Sequence, residues 1–149
     1  MARYSVSGAD TNTASTTLLG ITGSTTKKIK IVEFHIAFDA TPADMATRIQ
    51  IKRSTAAGTS TAWTPVPLDS SDPASTFTAG YNHSVEPTYT ANAILMDIAV
   101  NQRQGFDWYA MDESEKLVVP ATSANGLGFF VSATNGSAVN CVITVIVEE

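Results

Sequence analysis

Residues 93–149 read AILMDIAVNQRQGFDWYAMDESEKLVVPATSANGLGFFVSATNGSAVNCVITVIVEE. Short apolar runs rich in β-branched and aromatic residues occupy positions 93–100, 106–111, 116–119, 127–133 and 138–148. Turn residues separate them: Asn101-Gln102-Arg103-Gln104-Gly105, Asp112-Glu113-Ser114-Glu115, Asn125-Gly126 and Asn135-Gly136. Asn-Gly is the dipeptide that most readily supplies the positive φ of a tight hairpin turn. Strands at this short, regular spacing predict an all-β sandwich or barrel.

The preceding sequence extends the pattern. Positions 28–39 predict a long strand. Ile29 and Ile31 share one face, and Phe34, Ile36 and Phe38 share it one step out of phase, so a β-bulge is expected at Ile31-Val32. Thr41-Pro42-Ala43-Asp44 reads as a turn. Positions 47–53 alternate, with Ile49 and Ile51 inward and Arg48, Gln50 and Lys52 outward. No segment sustains a 3.6-residue period. Positions 54–92 hold four of the six prolines, with Trp63, Phe77, Tyr81 and Tyr89 spaced among them. They predict a long ordered loop region packed by its own aromatics, with short strands near 62–66 and 88–91. Positions 1–26 are small and polar apart from Leu18-Leu19-Gly20-Ile21. They predict an N-terminal arm with a short strand near 16–21. The strand count from Lys28 onward predicts an antiparallel jelly-roll β-sandwich of about eight strands over residues 27–149. Its expected core is Ile29, Phe34, Ile36, Phe38, Ile49, Ile51, Leu95, Ile98, Val100, Trp108, Phe130, Ile143 and Val145.

A chain of 149 residues fits one domain and can bury a core without staples. The single cysteine, Cys141, lies in an apolar run and reads as a small buried hydrophobe. Met1-Ala2-Arg3-Tyr4-Ser5 has no apolar signal segment, and no run approaches the roughly 20 apolar residues that span a bilayer. Synthesis in the cytoplasm and no membrane partner are therefore expected, and the sequons at Asn82 and Asn135 carry no expectation of glycosylation. Only 15% of the residues are charged, against roughly 25% in an average globular protein. A surface of Ser, Thr and Ala suits a protein covered by neighbours. Thr in strands and Ser in loops also account for it without any assembly. The net charge of −5 argues against nucleic acid as a partner. Most basic residues alternate with apolar ones and read as a solvated face, while Arg3, Lys27 and Lys28 are candidates for contact with an acidic neighbour.

No catalytic constellation is legible. A nucleophilic triad needs a histidine beside an exposed Ser or Cys. His35 falls mid-strand between Phe34 and Ile36, and His83 falls in Tyr81-Asn82-His83-Ser84, with no nucleophile motif at either. Asp69-Ser70-Ser71-Asp72-Pro73 lacks the spacing of a Ca²⁺ loop and reads as an Asp/Ser turn. Gly126 and Gly128 flank a strand and open no phosphate-binding helix. The expectation is a protein that is not an enzyme, with no catalytic, cofactor-binding or metal-ligating residue. The aromatics of positions 54–92 fit two readings: a platform for sugars, or pins that hold a long loop over the sandwich edge.

Asn82-His83-Ser84-Val85-Glu86-Pro87-Thr88-Tyr89-Thr90, Leu68-Asp69-Ser70-Ser71-Asp72-Pro73, Phe106-Asp107-Trp108 and Leu117-Val118-Val119-Pro120-Ala121-Thr122 together resemble small jelly-roll virion proteins of tailed phages and prophages. The resemblance covers roughly residues 28–149 and rests on turn and strand patterns. It implies a capsid decoration, or cement, protein: a homotrimer on the capsid exterior that binds the major capsid protein lattice. It implies no catalytic set. The alternatives are a sugar- or receptor-binding module of a tail fibre and a self-polymerising tail or filament subunit. The expected interface residues are Arg3, Tyr4, Leu18, Leu19, Lys27, Lys28, Trp63, Tyr81 and Tyr89.

Overall fold

Alternating apolar and polar side chains draw the chain into twelve strands, and the computed structural model, which describes residues 1–149, contains no helix. In chain order they are β1 (Arg3–Thr11), β2 (Thr16–Thr22), β3 (Ile29–Phe38), β4 (Ala46–Ala56), β5 (Thr59–Trp63), β6 (Val66–Pro67), β7 (Thr78–Val85), β8 (Thr88–Asn101), β9 (Phe106–Tyr109), β10 (Leu117–Val119), β11 (Gly126–Thr134) and β12 (Asn140–Glu148). Every pairing is antiparallel. Sheet A runs β10-β3-β12-β1-β6, with β9 also on β3, and sheet B runs β5-β7-β2-β11-β4-β8.

The topology is that of a jelly roll. β9 and β10 pair with successive stretches of the same edge of β3, so they act as one strand interrupted by a loop. With β5, β6 and β7 set aside, sheet A becomes β9/β10-β3-β12-β1 and sheet B becomes β2-β11-β4-β8. Twelve strands rather than about eight arise from that interruption and from the three added strands.

The added strands belong to an insert in the β4–β8 hairpin. Ala56 pairs with Thr88, so the insert leaves and returns at one point. Two residues join β4 to β5, and two join β7 to β8. Yet β7 pairs with β2, beyond β11. The β5–β7 ribbon must therefore cross the outer face of sheet B. Asn82, at φ 50°, bends β7 where it leaves β2. Beyond the ribbon the chain rounds the edge of the sandwich, where β6 pairs with β1. Residues 54–92 are thus mostly strand rather than a long loop.

The core lies between the sheets. Phe34 meets Phe129 edge-on at 5.3 Å and stacks on Trp108 at 5.3 Å. Val6, Ile31, Ile36, Ile143 and Val145 face Leu19, Ile21, Ile49, Ile51 and Val131 across the interior. Each such side chain, fully buried, stabilises the fold by about 1.5–3 kcal/mol. Phe38, Leu95, Ile98 and Trp108 are partly buried at the margin of this core. Cys141 is fully enclosed, and burial pushes its thiol up to about 12. At the end of the sandwich where the β1–β2, β3–β4, β8–β9 and β11–β12 connections meet, the interior is polar. Asn12 donates to Thr47 Oγ1 at 2.8 Å and accepts from the Val139 N–H at 2.8 Å. Gln102 donates to Thr47 Oγ1 and to the Ser137 carbonyl, and accepts from the Ala43 N–H.

The expected bulge at Ile31-Val32 is present: β12 slips register between Ile146 and Val147, and Val32 is the extra residue. Other expectations need correction. There is no N-terminal arm, because β1 lies between β12 and β6 and β2 lies between β11 and β7. Phe130 is not core; Phe129 is the fully buried neighbour, and Phe130 faces outward. The Asn-Gly pairs do not supply positive φ. It falls at Ala124 before β11 and at Gly105 before β9, and Gly126 is already in its strand.

Candidate interaction faces

The registers fix what the outer face of sheet A presents. One row runs Val66, Ser5, Ile146, Glu33, Tyr109 across β6, β1, β12, β3 and β9. The next is Ser7, Thr144, His35, Asp107, and the next Ala9, Val142, Ala37. On β1 and β12 these rows are small or apolar and carry no charge. Ser7 and Thr144 share a hydrogen bond of 2.9 Å. His35 lies on the polar outer face, as its mid-strand position predicts, with Nδ1 2.8 Å from Asp107. Apolar side chains are exposed along two margins: Val66 and Leu68 at β6, Tyr109 and Met111 at β9.

Charge is gathered at one end of this face. Arg3 and Lys116 each hold Glu148 at 2.6 Å, and Lys116 also holds Glu113 at 2.6 Å, which in turn meets Lys30. Hydrogen bonds from Lys116 and Lys30 draw the Glu113 carboxyl down to about 2. Burial by itself raises the Glu148 carboxyl, but its bonds to Lys116 and Arg3 hold it below its ordinary value. The adjacent Glu149 side chain is fully enclosed by Lys27, Tyr4 and Thr76.

The outer face of sheet B carries a different feature. Gly128, Gly20 and Gly80 stand opposite one another on β11, β2 and β7, with Ala62 of β5 next in the row. Glycine within strands marks the close approach of another group. Here the groups are Tyr89 over Gly128, His83 over Gly20 and Ser60 over Gly80. The side-chain-free row is what lets the ribbon and its flanks lie low on the sheet. Tyr89 is held there by Thr17 Oγ1 at 2.6 Å, and Glu86 accepts from both the N–H and the hydroxyl of Thr17. Burial pushes the Tyr89 hydroxyl well above its ordinary range. Phe130 meets Tyr89 edge-on, and Lys52 lies over both rings. Beside the glycine row runs Ser54, Gly126, Thr22, Thr78. Between these rows and the ribbon lies a cleft of about 180 Å³.

These faces do not coincide with the interface residues expected from sequence. Tyr4, Leu18 and Leu19 are fully buried in the core and cannot meet a neighbour. Arg3 and Lys27 are engaged by Glu148 and Glu149, while Lys28 is exposed. Trp63 and Tyr81 form an edge-on pair on the inward side of the ribbon, and Tyr89 reaches over Gly128. These aromatics pin the insert; they form no exposed platform. Asp69 and Asp112 each accept from the N–H and hydroxyl of the serine two residues on, as turn residues do. No three His, Cys, Asp or Glu side chains gather as metal ligands. Sequence reasoning missed the small residues of β1 and the cleft, although unexplained strand glycines at 20, 80 and 128 were the available signal. No protein-family model matches the chain, and no curated protein or solved structure matches it either.

Proposed function

We propose that this chain is a structural virion protein of the capsid decoration, or cement, type. On this reading it sits as a homotrimer on the capsid exterior and binds the lattice of the major capsid protein. The observation that carries the reading is the outer face of sheet A. Half-buried Ser5, Ser7, Ala9, Val142 and Thr144, around the buried Ile146, give it an uncharged centre, and Val66, Leu68, Tyr109 and Met111 expose apolar surface at its margins. Such a face loses little side-chain entropy when another protein covers it, and exposed apolar margins mark interaction surfaces. The sparse charge of the whole chain fits the same role. The contact runs through the sheet and not through a terminal arm.

The test is to add purified protein to viral heads that lack it and count bound copies. Native mass spectrometry gives the oligomeric state. Binding that Ser7→Lys abolishes while the melting temperature holds supports the reading. Heads that bind no protein, or that bind Ser7→Lys as well as the native chain, overturn it.

A further inference from the structure

We propose that the free edge of β8 pairs with the same edge of a second copy of this chain, about a two-fold axis at Ile98. The inference does not rest on the lattice role. A two-fold contact doubles whatever oligomer the chain otherwise forms.

The first observation is an unprotected sheet edge. β6 and β9/β10 border sheet A, and β5 and β8 border sheet B. Edges are normally blunted by brevity, proline, charge or interruption. β6 has two residues, one of them Pro67, and β5 has five. β9 and β10 have four and three, and the loop between them carries Asp112, Glu113 and Glu115. β8 runs for 14 residues with neither proline nor glycine. Its one charge, Asp97, is turned toward β4, where Arg48 and Gln50 hold it at 2.8 and 2.9 Å.

The second observation is a matched set of backbone groups. Gln102 donates its N–H to the Met45 carbonyl, one step beyond the pair Ala46 and Asn101. By the alternation of an antiparallel ladder, Val100, Ile98 and Met96 then bond to β4, while Ala99 and Asp97 direct their N–H and C=O groups outward. Nothing in the chain pairs with that side of β8. Asn101 points the same way, but its carbonyl already accepts from the N–H groups of Gln104 and Gly105.

The third observation is an incompletely covered core. Arg53 of β4 donates to the Val118 carbonyl of β10 at 2.9 Å, so the β8 and β9/β10 edges share one flank. Met96 and Ile98 of β8 and Phe106 and Trp108 of β9 are only partly buried there.

These features select the occupant and its register. A second β8 edge offers the same donors and acceptors. With Ile98 on the axis, Asp97 of each copy pairs with Ala99 of the other, and every outward group of both residues is satisfied. An axis at Asp97 would set two carboxylates directly opposite, which destabilises a sheet. An axis at Ala99 would call on the Asn101 carbonyl, which is already taken. The chosen register also sets Ile98 against Ile98 and Met96 against Val100, so the contact covers the apolar margin.

The experiment measures the mass of the full-length protein by native mass spectrometry and light scattering over a dilution series. The copy number should be even and should halve on dilution. Ala99→Pro removes one outward N–H and leaves the bonds to β4, a place where a strand tolerates proline. It should halve the mass at every concentration without altering the circular dichroism spectrum. Ile98→Cys sets two thiols across the axis, with Cα atoms about 4.5 Å apart, within reach of a disulfide. Mild oxidation should give a covalent dimer, and the enclosed Cys141 should take no part. Ala91→Cys, exposed on the same strand but away from the axis, should not cross-link. If Ala99→Pro does not fold, the two cysteine variants decide alone. An odd copy number at all concentrations overturns the proposal and leaves the edge to a strand of another protein. So does a doubled species that Ala99→Pro leaves intact, or cross-linking no faster at Ile98→Cys than at Ala91→Cys.

Discussion

Tyr89 reaches over Gly128, its hydroxyl in the space that a β-carbon at that position would need. Gly128→Ala must therefore displace the ring, its bond to Thr17 and its edge-on contact with Phe130. Overpacking of this kind costs about 1–3 kcal/mol. Tyr89→Ala removes the obstacle. In a double-mutant cycle followed by urea denaturation, Gly128→Ala should cost much less once Tyr89 is absent. Equal costs in the two backgrounds would show that the ring does not need the glycine.

The two adjacent phenylalanines of β11 should respond differently to truncation. Phe129→Ala opens a cavity against Phe34 and should lose about 3–5 kcal/mol. Phe130→Ala loses only the outer contact with Tyr89 and Lys52 and should cost markedly less. Melting temperatures of the two variants decide the order.

Removal of residues 2–14 should unfold the domain. The deletion takes Tyr4, Val6 and Gly8 from the interior and leaves β12 paired with β3 alone. Far-UV circular dichroism that shows a retained β spectrum with a cooperative melt would contradict the need for β1.

The polar end of the interior should be intolerant of change. Asn12→Ala strips the Val139 N–H of its side-chain acceptor and Thr47 Oγ1 of one of its two donors, leaving Gln102 as the other. An enclosed group left unpaired costs about 1–3 kcal/mol. Urea denaturation should show a loss in that range; a neutral result would mean that water replaces the asparagine.

Stability should fall in acid. The Glu148 and Glu149 carboxyls are held below their ordinary value in the fold, despite burial, by Lys116 and Arg3 in one case and by Thr76, Lys27 and Tyr4 in the other. The unfolded chain, with its glutamates near about 4.3, takes up protons first as pH drops. Their contribution is thus complete above that value and is lost as pH falls through the lower values of the fold. Thermal melts from neutral pH downward should show the decline, and Glu148→Gln with Glu149→Gln should flatten it. An unaltered acid slope would assign the loss to other groups.

Most of the strand pattern was legible because β3, β4 and β8 to β12 bear large apolar residues at period two. β1 escaped notice because its inward positions after Tyr4 are Val6 and Gly8, too small to register as a core stripe among serines. Phe129 and Phe130 were confused because 127–131 is apolar almost throughout, and only the bulges beside β2 and β4 set its phase. The expected break between 91 and 93 is a bend within one strand, taken by Asn92 at φ 59°. The strand glycines at 20, 80 and 128 were a signal of close approach, but that they form one row was not legible, because only the pairing of β2 with both β11 and β7 brings them opposite one another.

The pairing of β1 with β12 also sets a timetable for the molecule. Arg3 and Glu148, joined side by side in sheet A, are 145 positions apart in the chain. β2 likewise waits for β11. During translation the first two strands leave the ribosome with their main partners still unmade. Closure of so distant a loop precedes the contacts that reward it, which makes such folding slow and exposes unpaired edges meanwhile. The small, polar composition of β1 has a second use here: a nascent strand of Ser, Gly, Ala and Thr is a poor template for aggregation while it waits.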